Sequence, residues 1–177
     1  MARLFFALQP DARGRQAIAC SLPDDLAAAR PLPESNLHVT LVFLGELDGD
    51  QETAVRAVAD EIAASPFALC FSELAYWPRS RARVLVPEEV PPAAQALRAE
   101  LARRLREAQL PFDARIWHPH LTVARRARRG GGELRAPITI AFNDFVLMRS
   151  RTEPAGAVYE PVGRWSLPGS SGVGGVG

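Results

Sequence analysis

Residues 36–42, Asn36-Leu37-His38-Val39-Thr40-Leu41-Val42, have a counterpart in the second half of the chain, Pro119-His120-Leu121-Thr122-Val123-Ala124 at 119–124. Each segment contains a histidine, an apolar residue, a threonine and a further apolar residue within an apolar, β-branched run. Such a run predicts a β-strand, in which successive side chains point to opposite faces. Each histidine therefore shares a face with the threonine two residues later, while the apolar residues between them face a core.

The shared face carries the groups that phosphate chemistry needs. An imidazole moves a proton near neutral pH, and a hydroxyl donates a hydrogen bond to a phosphate oxygen. A single His-x-Thr on an apolar strand is most often a half-buried structural histidine. Two such strands in a chain with three histidines raise the hypothesis of one site built from both. The residues alone leave both interpretations open.

The remaining patterns predict an α+β fold from short strands interleaved with long helices. The order of elements repeats roughly in each half, which suggests an internal duplication within a single domain at 1–168. The Gly/Ser-rich segment 169–177 is predicted to be a disordered tail. The predicted strands cover residues 3–8, 37–44, 67–74, 83–86, 120–124, 138–148 and 157–162. The predicted helices cover residues 11–29 (interrupted at Pro23), 50–64 and 91–109.

The composition is that of an ordinary globular protein. The chain has 177 residues, is 47% hydrophobic and carries a net charge of +1, so no global basic field is present to hold long nucleic acid. Cys20 and Cys70 lie in apolar surroundings and are predicted to be buried, unpaired thiols. No stretch is long enough to cross a membrane or to form a signal sequence, so we expect a cytoplasmic protein.

The chain contains no lysine, and every basic side chain is an arginine. A P-loop lysine, a Schiff base and a covalent lysine–nucleotide adduct are therefore all excluded.

Two His-x-Thr-x motifs, one per half, are the signature of the 2H phosphoesterases. The chain most closely resembles the RNA 2′,3′-cyclic phosphodiesterase branch of that superfamily, historically called the 2′-5′ RNA ligase or LigT-like family. The resemblance spans about residues 3–168. The segments that carry it are Arg3-Leu4-Phe5-Phe6-Ala7 at 3–7, the first motif extended through Phe43-Leu44-Gly45-Glu46, the second motif with Arg125, and Gly156-Ala157-Val158-Tyr159 at 156–159.

The resemblance implies a two-lobed, pseudo-symmetric fold in which each lobe is an antiparallel sheet backed by helices, with the active-site cleft between the lobes. It implies that His38 is the proton donor, that His120 is the proton acceptor, and that Thr40 and Thr122 bind the phosphate. The implied reaction opens an RNA 2′,3′-cyclic phosphate to a 2′-phosphomonoester without a metal or other cofactor.

Phe43 and Arg125 each lie five residues after a motif histidine, and the resemblance associates these positions with nucleotide binding. An odd offset places a side chain on the opposite face of a regular strand, so this role requires a bulge, a twist or a strand end. A core position is the alternative for Phe43, whereas the loop beside Arg125 favours a phosphate contact.

Three further features are open to more than one interpretation. His118 with His120 has the spacing of a metal pair, but no acidic residue accompanies it, which disfavours a metal site. The arginine-rich loop at 125–129 is either an RNA-steering surface or a solvated loop, and the second is favoured. Trp77 and Trp117 are predicted to pack in or near the core.

The expected partners are RNA 3′ ends with a 2′,3′-cyclic phosphate, such as tRNA halves, and the expected state is a monomer. Reversible, ATP-independent 2′-5′ ligation is a possible second activity of the same site. Two alternatives stay open: a phosphodiesterase for a small cyclic nucleotide such as ADP-ribose 1″,2″-cyclic phosphate, and a non-catalytic module that binds RNA ends.

Overall fold

The computed structural model describes residues 2–24, 26, 29–128, 132–154 and 156–168. Within these ranges the chain forms nine β-strands and three α-helices. The predicted tail at 169–177 lies outside the described residues, as does Arg129. The strands are β1 (Ala2–Leu8), β2 (Arg30–Pro31), β3 (Val39–Leu47), β4 (Phe67–Trp77), β5 (Ala82–Pro87), β6 (Leu121–Arg125), β7 (Ile138–Phe142), β8 (Asp144–Glu153) and β9 (Gly156–Ser166). The helices are α1 (Ala12–Ser21), α2 (Gly49–Asp60) and α3 (Pro92–Glu107).

The strands form one curled antiparallel sheet in the order β7-β4-β5-β6-β3-β1-β8-β9, with β2 added to β6. The sheet has two halves, β7-β4-β5-β6 and β3-β1-β8-β9. They meet where β6 pairs with β3, and the pairing there consists of Val39 opposite Leu121. The predicted α+β class with antiparallel sheets is confirmed. The internal duplication and the boundary at 168 stay predictions.

Helices α1 and α2 begin at capping residues, and all three helices pack against strands or against each other. Asp11 caps α1 by accepting a hydrogen bond from the Gly14 backbone, and Asp48 forms a capping box with Gln51 at the start of α2. Helix α1 packs against β7, α2 against α3 and β9, and α3 against β3. Helix α1 ends at Ser21, earlier than position 29, because the residue before Pro23 is driven to extended backbone.

The predicted strand at 138–148 is wrong as a single element. The chain breaks between β7 and β8 at Asn143, whose carbonyl accepts a hydrogen bond from the Leu167 backbone. Strand β7 pairs with β4 in one half of the sheet, whereas β8 pairs with β1 in the other. One continuous apolar run therefore contributes a strand to each half of the sheet. The hydrophobic periodicity of the run does not show where it divides.

The main core lies between the sheet and its helices. Strand β1 is buried on both faces: Leu4, Phe6 and Leu8 enter the main core, while Phe5 enters a small second cluster with neighbours from β8. Both cysteines are unpaired, as predicted, but their predicted burial is wrong because Cys20 is exposed and Cys70 is half-buried. No helix in the described part of the chain is long and apolar enough to span a membrane.

Candidate active site

The two motif histidines are held by the same hydrogen bond. The Nδ1 atom of His38 lies 2.7 Å from the backbone oxygen of Asn36, and the Nδ1 atom of His120 lies 2.8 Å from that of His118. A carbonyl oxygen only accepts, so Nδ1 is the protonated nitrogen in each ring. The other nitrogen, Nε2, is left to exchange a proton with a ligand in both histidines.

The pairing of β3 with β6 brings the motifs together. Val39 lies opposite Leu121, and β3 and β6 begin at these two residues. Each motif histidine therefore lies one residue before the paired position, and each motif threonine lies one residue after it. The two imidazoles are close enough for the charge of His120 to lower the pKa of His38.

Two β-bulges change the face on which Phe43 and Arg125 lie, each of which is five residues after a motif histidine. The register of β3 with β1 skips Leu41, and the register of β6 with β5 skips Val123. Both skipped residues lie three positions after a motif histidine. Each bulge shifts the alternation by one residue, which puts Phe43 on the face of Thr40 and Arg125 on the face of Thr122.

Aromatic rings surround both imidazoles. The ring of His38 lies 5.0 Å from Phe5 and 5.0 Å, edge-on, from Tyr159. The ring of His120 lies 4.3 Å from Trp77. Trp77 was expected in or near the core, but it is not among the side chains packed against the core; its half-buried ring, at the end of β4, lies against His120 instead. No sequence pattern distinguishes Trp77 from a core aromatic residue.

Asn36 links the first motif to the β8–β9 hairpin. Its side chain is buried, since only 5% of the residue's surface is exposed. Its Nδ2 donates to the oxygen of Ala157 at 2.7 Å, and its Oδ1 accepts from the Tyr159 backbone at 3.1 Å. The same residue thus orients His38 through its backbone and Tyr159 through its side chain. In the sequence the one signal for this role is a polar residue beside the first motif, and the burial of Asn36 is seen only in the structure.

The surroundings favour neutral histidines in the free protein. Burial lowers the pKa of His38 to about 4; the bond to Asn36 raises this pKa, and the charges of His120 and Arg125 lower it further. Burial also lowers the pKa of His120; its bond to His118 raises this pKa, and the charges of Arg125 and His118 lower it. Arg125 therefore acts on both imidazoles, which places it at the shared site.

Two cavities are lined by residues of the motifs or by residues in contact with the motif histidines. The first, which we call the aromatic cleft, has a volume of about 1020 Å³ and lies on the side of His120 and Thr40. The second, which we call the arginine pocket, has a volume of about 400 Å³ and lies on the side of Tyr159 and Asn36. The lining of the aromatic cleft includes Arg3, Phe43, Trp77, Trp117, His118 and His120.

Phe43 is half-buried in the aromatic cleft, and the guanidinium of Arg3 lies 5.1 Å from the centre of its ring. Trp117 packs against the core, as predicted, and also lines the cleft, where its Nε1 donates to the oxygen of Thr40 at 2.8 Å. The side chain of His118 is exposed. No group of three or more His, Cys, Asp or Glu side chains in the described ranges is arranged to hold a metal ion.

The chain belongs to the 2′-5′ RNA ligase superfamily: residues 13–144 match the model of the family with that description. It is 32% identical to the RNA 2′,3′-cyclic phosphodiesterase of Escherichia coli K12, over 93% of this chain and 96% of that protein. It is 28% identical to the RNA 2′,3′-cyclic phosphodiesterase of Thermus thermophilus, over 96% of this chain and 92% of that protein.

Solved structures agree with this assignment. The crystal structure of E. coli LigT complexed with 3′-AMP superposes with a TM-score of 0.78 at 30% identity, over 94% of this chain and 98% of that chain. The structure of LigT complexed with phosphate gives a TM-score of 0.75 at 30% identity, over 94% and 97% of the two chains. The sequence resemblance and the fold expected from it are thereby confirmed.

Proposed function

We propose that this protein is an RNA 2′,3′-cyclic phosphodiesterase that opens the cyclic phosphate at an RNA 3′ end to a 2′-phosphomonoester. The observation that carries the proposal is the pairing of Val39 with Leu121, since each of these residues is flanked in the chain by a motif histidine with a protonated Nδ1 and by a motif threonine. Curated relatives with this activity, 28–32% identical over most of the chain, support the same conclusion.

The proton transfers follow from the tautomers. His120 in its neutral form offers the Nε2 lone pair, which takes a proton from the attacking water as the new P–O bond forms. His38 in its charged form carries a proton on Nε2 and gives it to the ribose 3′ oxygen as the P–O3′ bond breaks. The products are a 2′-phosphomonoester and a free 3′-hydroxyl, and the two histidines end with their protonation states exchanged.

The substrate itself supplies the charge state that His38 needs. With a pKa of about 4, His38 is almost entirely neutral at pH 7 in the free protein. A phosphate anion between the rings raises the pKa of both histidines because it stabilises their charged forms. Thr40 and Thr122 donate to the non-bridging oxygens, and Arg125 balances the negative charge that develops there.

A single chain provides every group in this scheme, so we propose that a monomer is active. Because the substrate is RNA, the cytoplasm is the compartment in which we propose that it acts. Phe43, which shares the face of Thr40 and lines the aromatic cleft, is suited to stack on the terminal base.

The test is hydrolysis of an RNA oligonucleotide with a 2′,3′-cyclic phosphate, with the product identified by ³¹P NMR. We expect a 2′-phosphate, and at least about tenfold slower turnover in Thr40→Val and Thr122→Val. ADP-ribose 1″,2″-cyclic phosphate, as a competing substrate, should react with a lower kcat/KM. A 3′-phosphate product, preference for the ADP-ribose compound, or binding of RNA without turnover would overturn the proposal.

A further inference from the structure

The arginine pocket carries a concentration of positive charge of which the reaction above uses only Arg125. Four arginines from three separate segments line it: Arg30 in β2, Arg81 in the turn before β5, and Arg125 and Arg126 at the end of β6. No carboxylate lines the pocket among the residues that the structure describes. Within the same ranges, Arg81, Arg125 and Arg126 form no ion pair, whereas nine other arginines of the chain do.

The positions of these arginines lower the stability of the fold, so folding by itself does not account for them. Arg30 is paired directly with Arg125 across the β2–β6 ladder, and like charges in such positions repel. Arg81 and Arg126 adopt left-handed backbone conformations, with φ of 49° and 54°, which a glycine would adopt at lower cost. The Ala127 backbone donates to the oxygen of Arg81 at 2.9 Å, so these two loops are fixed to one another.

The pocket adjoins the catalytic histidines. Tyr159 lines the pocket and lies edge-on against His38. Arg125 lines the pocket, and its charge lowers the pKa of both histidines. An anion bound in the arginine pocket would therefore lie near both histidines.

We propose that the arginine pocket binds backbone phosphates of the RNA strand that carries the cyclic end, so that the protein prefers an oligonucleotide to a mononucleotide. This inference rests on the proposed function. A guanidinium binds a phosphate through two parallel hydrogen bonds. A cluster of arginines therefore recognises phosphates more specifically than a diffuse positive field does. A volume of about 400 Å³ and a net charge of only +1 limit the contact to the few nucleotides nearest the end.

The experiment compares two substrates, adenosine 2′,3′-cyclic phosphate and an RNA tetranucleotide with a 2′,3′-cyclic phosphate. The test variant is Arg81→Gln with Arg126→Gln. The matched control is Arg79→Gln with Arg128→Gln, which removes the same charge from the same two loops at exposed positions outside the pocket. A third variant, Arg81→Lys with Arg126→Lys, keeps the charge, and circular dichroism with thermal melting verifies that each variant is folded.

For the test variant we expect at least about a tenfold higher KM for the tetranucleotide and a change within about twofold for the mononucleotide. The dependence of log(kcat/KM) on log salt should become shallower by about 0.7 per lost phosphate contact. The lysine variant should keep this salt dependence, and the control should match the wild type. Equal effects on both substrates, or equal effects of test and control variants, would overturn the inference. If the wild type hydrolyses neither substrate, the proposed function itself fails.

Discussion

Val39 lies directly opposite Leu121, and this residue pair is where the two halves of the sheet meet. Each residue directly follows a motif histidine, so the two motifs meet at the boundary between the halves. Each half contributes one motif to the candidate site. The geometry of the site therefore depends on the tertiary pairing of two strands that are about eighty residues apart in the chain.

The roles of the histidines can be separated by the sign of a pH dependence. His38→Ala and His120→Ala should each lower kcat by at least about a hundredfold. The residual kcat/KM of His38→Ala should rise with pH, since the remaining His120 acts as a base. That of His120→Ala should fall with pH, since the remaining His38 acts as an acid. The kcat/KM of both variants is measured from pH 4 to 8, with circular dichroism as the control for folding. A fall with pH in His38→Ala and a rise in His120→Ala would show that His38 is the base and His120 the acid.

The stability of the protein should depend on His38 in weakly acidic solution. Its pKa in the folded protein, about 4, lies below the value of about 6.5 in an unfolded chain. Between these values the unfolded state binds more protons, so the free energy of unfolding should decrease as the pH falls from 6.5 towards 4. Urea unfolding of His38→Gln should show a weaker decrease than the wild type. The exposed histidine variant His118→Gln is the control, and an unchanged pH dependence in His38→Gln would contradict the prediction.

Asn36 should matter for stability as well as for turnover. Asn36→Ala leaves the Ala157 oxygen and the Tyr159 backbone without their partner, which should lower the free energy of unfolding by about 1–3 kcal/mol. It should also lower kcat, because Tyr159 is no longer held against His38. Urea unfolding and turnover are compared with Asn143→Ala, which removes an exposed asparagine side chain. A variant within about 0.5 kcal/mol of the wild type would show that the buried amide is dispensable.

Activity should be retained in EDTA. The site offers two imidazoles and two hydroxyls, which together are a poor ligand set for a divalent ion, and neither motif contains an acidic residue. The measurement is the rate of hydrolysis before and after chelation and dialysis. Loss of activity that one divalent metal restores in the wild type, but not in His118→Ala, would instead establish a metal site at His118 and His120.

Any RNA ligation by this protein should be independent of ATP. The chain has no lysine to carry a nucleotide, so joining requires a ribose 5′-hydroxyl to replace water as the nucleophile, with His120 as the base. Attack on the cyclic phosphate with departure of the 3′ oxygen gives a 2′–5′ linkage. tRNA halves with a cyclic phosphate and a 5′-hydroxyl are incubated with and without ATP. Strict ATP dependence, or a nucleotidylated protein, would exclude this mechanism.

Much of the site could be recognised in the sequence because period-two alternation is a local property. The motifs at 38–41 and 120–123 predicted two strands, and the structure has strands that begin at Val39 and Leu121, one residue after each histidine. The offset of Phe43 and Arg125 also indicated that their predicted role requires a bulge, a twist or a strand end. The sequence did not show that both bulges fall three residues after a histidine, since a bulge depends on the neighbouring strand.

The sequence by itself determined most of the strands, the helices α2 and α3, the absence of lysine and the spacing of each histidine from its threonine, since local spacing and composition decide all of these. Only the tertiary structure decided that β7 and β8 separate into different halves of the sheet, that Trp77 lies against His120, and that four arginines meet in one pocket. These features join segments far apart in the chain, and a long-range contact leaves no periodic pattern in the residues that make it. The low pKa of His38 has the same origin, because the burial that lowers it comes from elements assembled around the histidine.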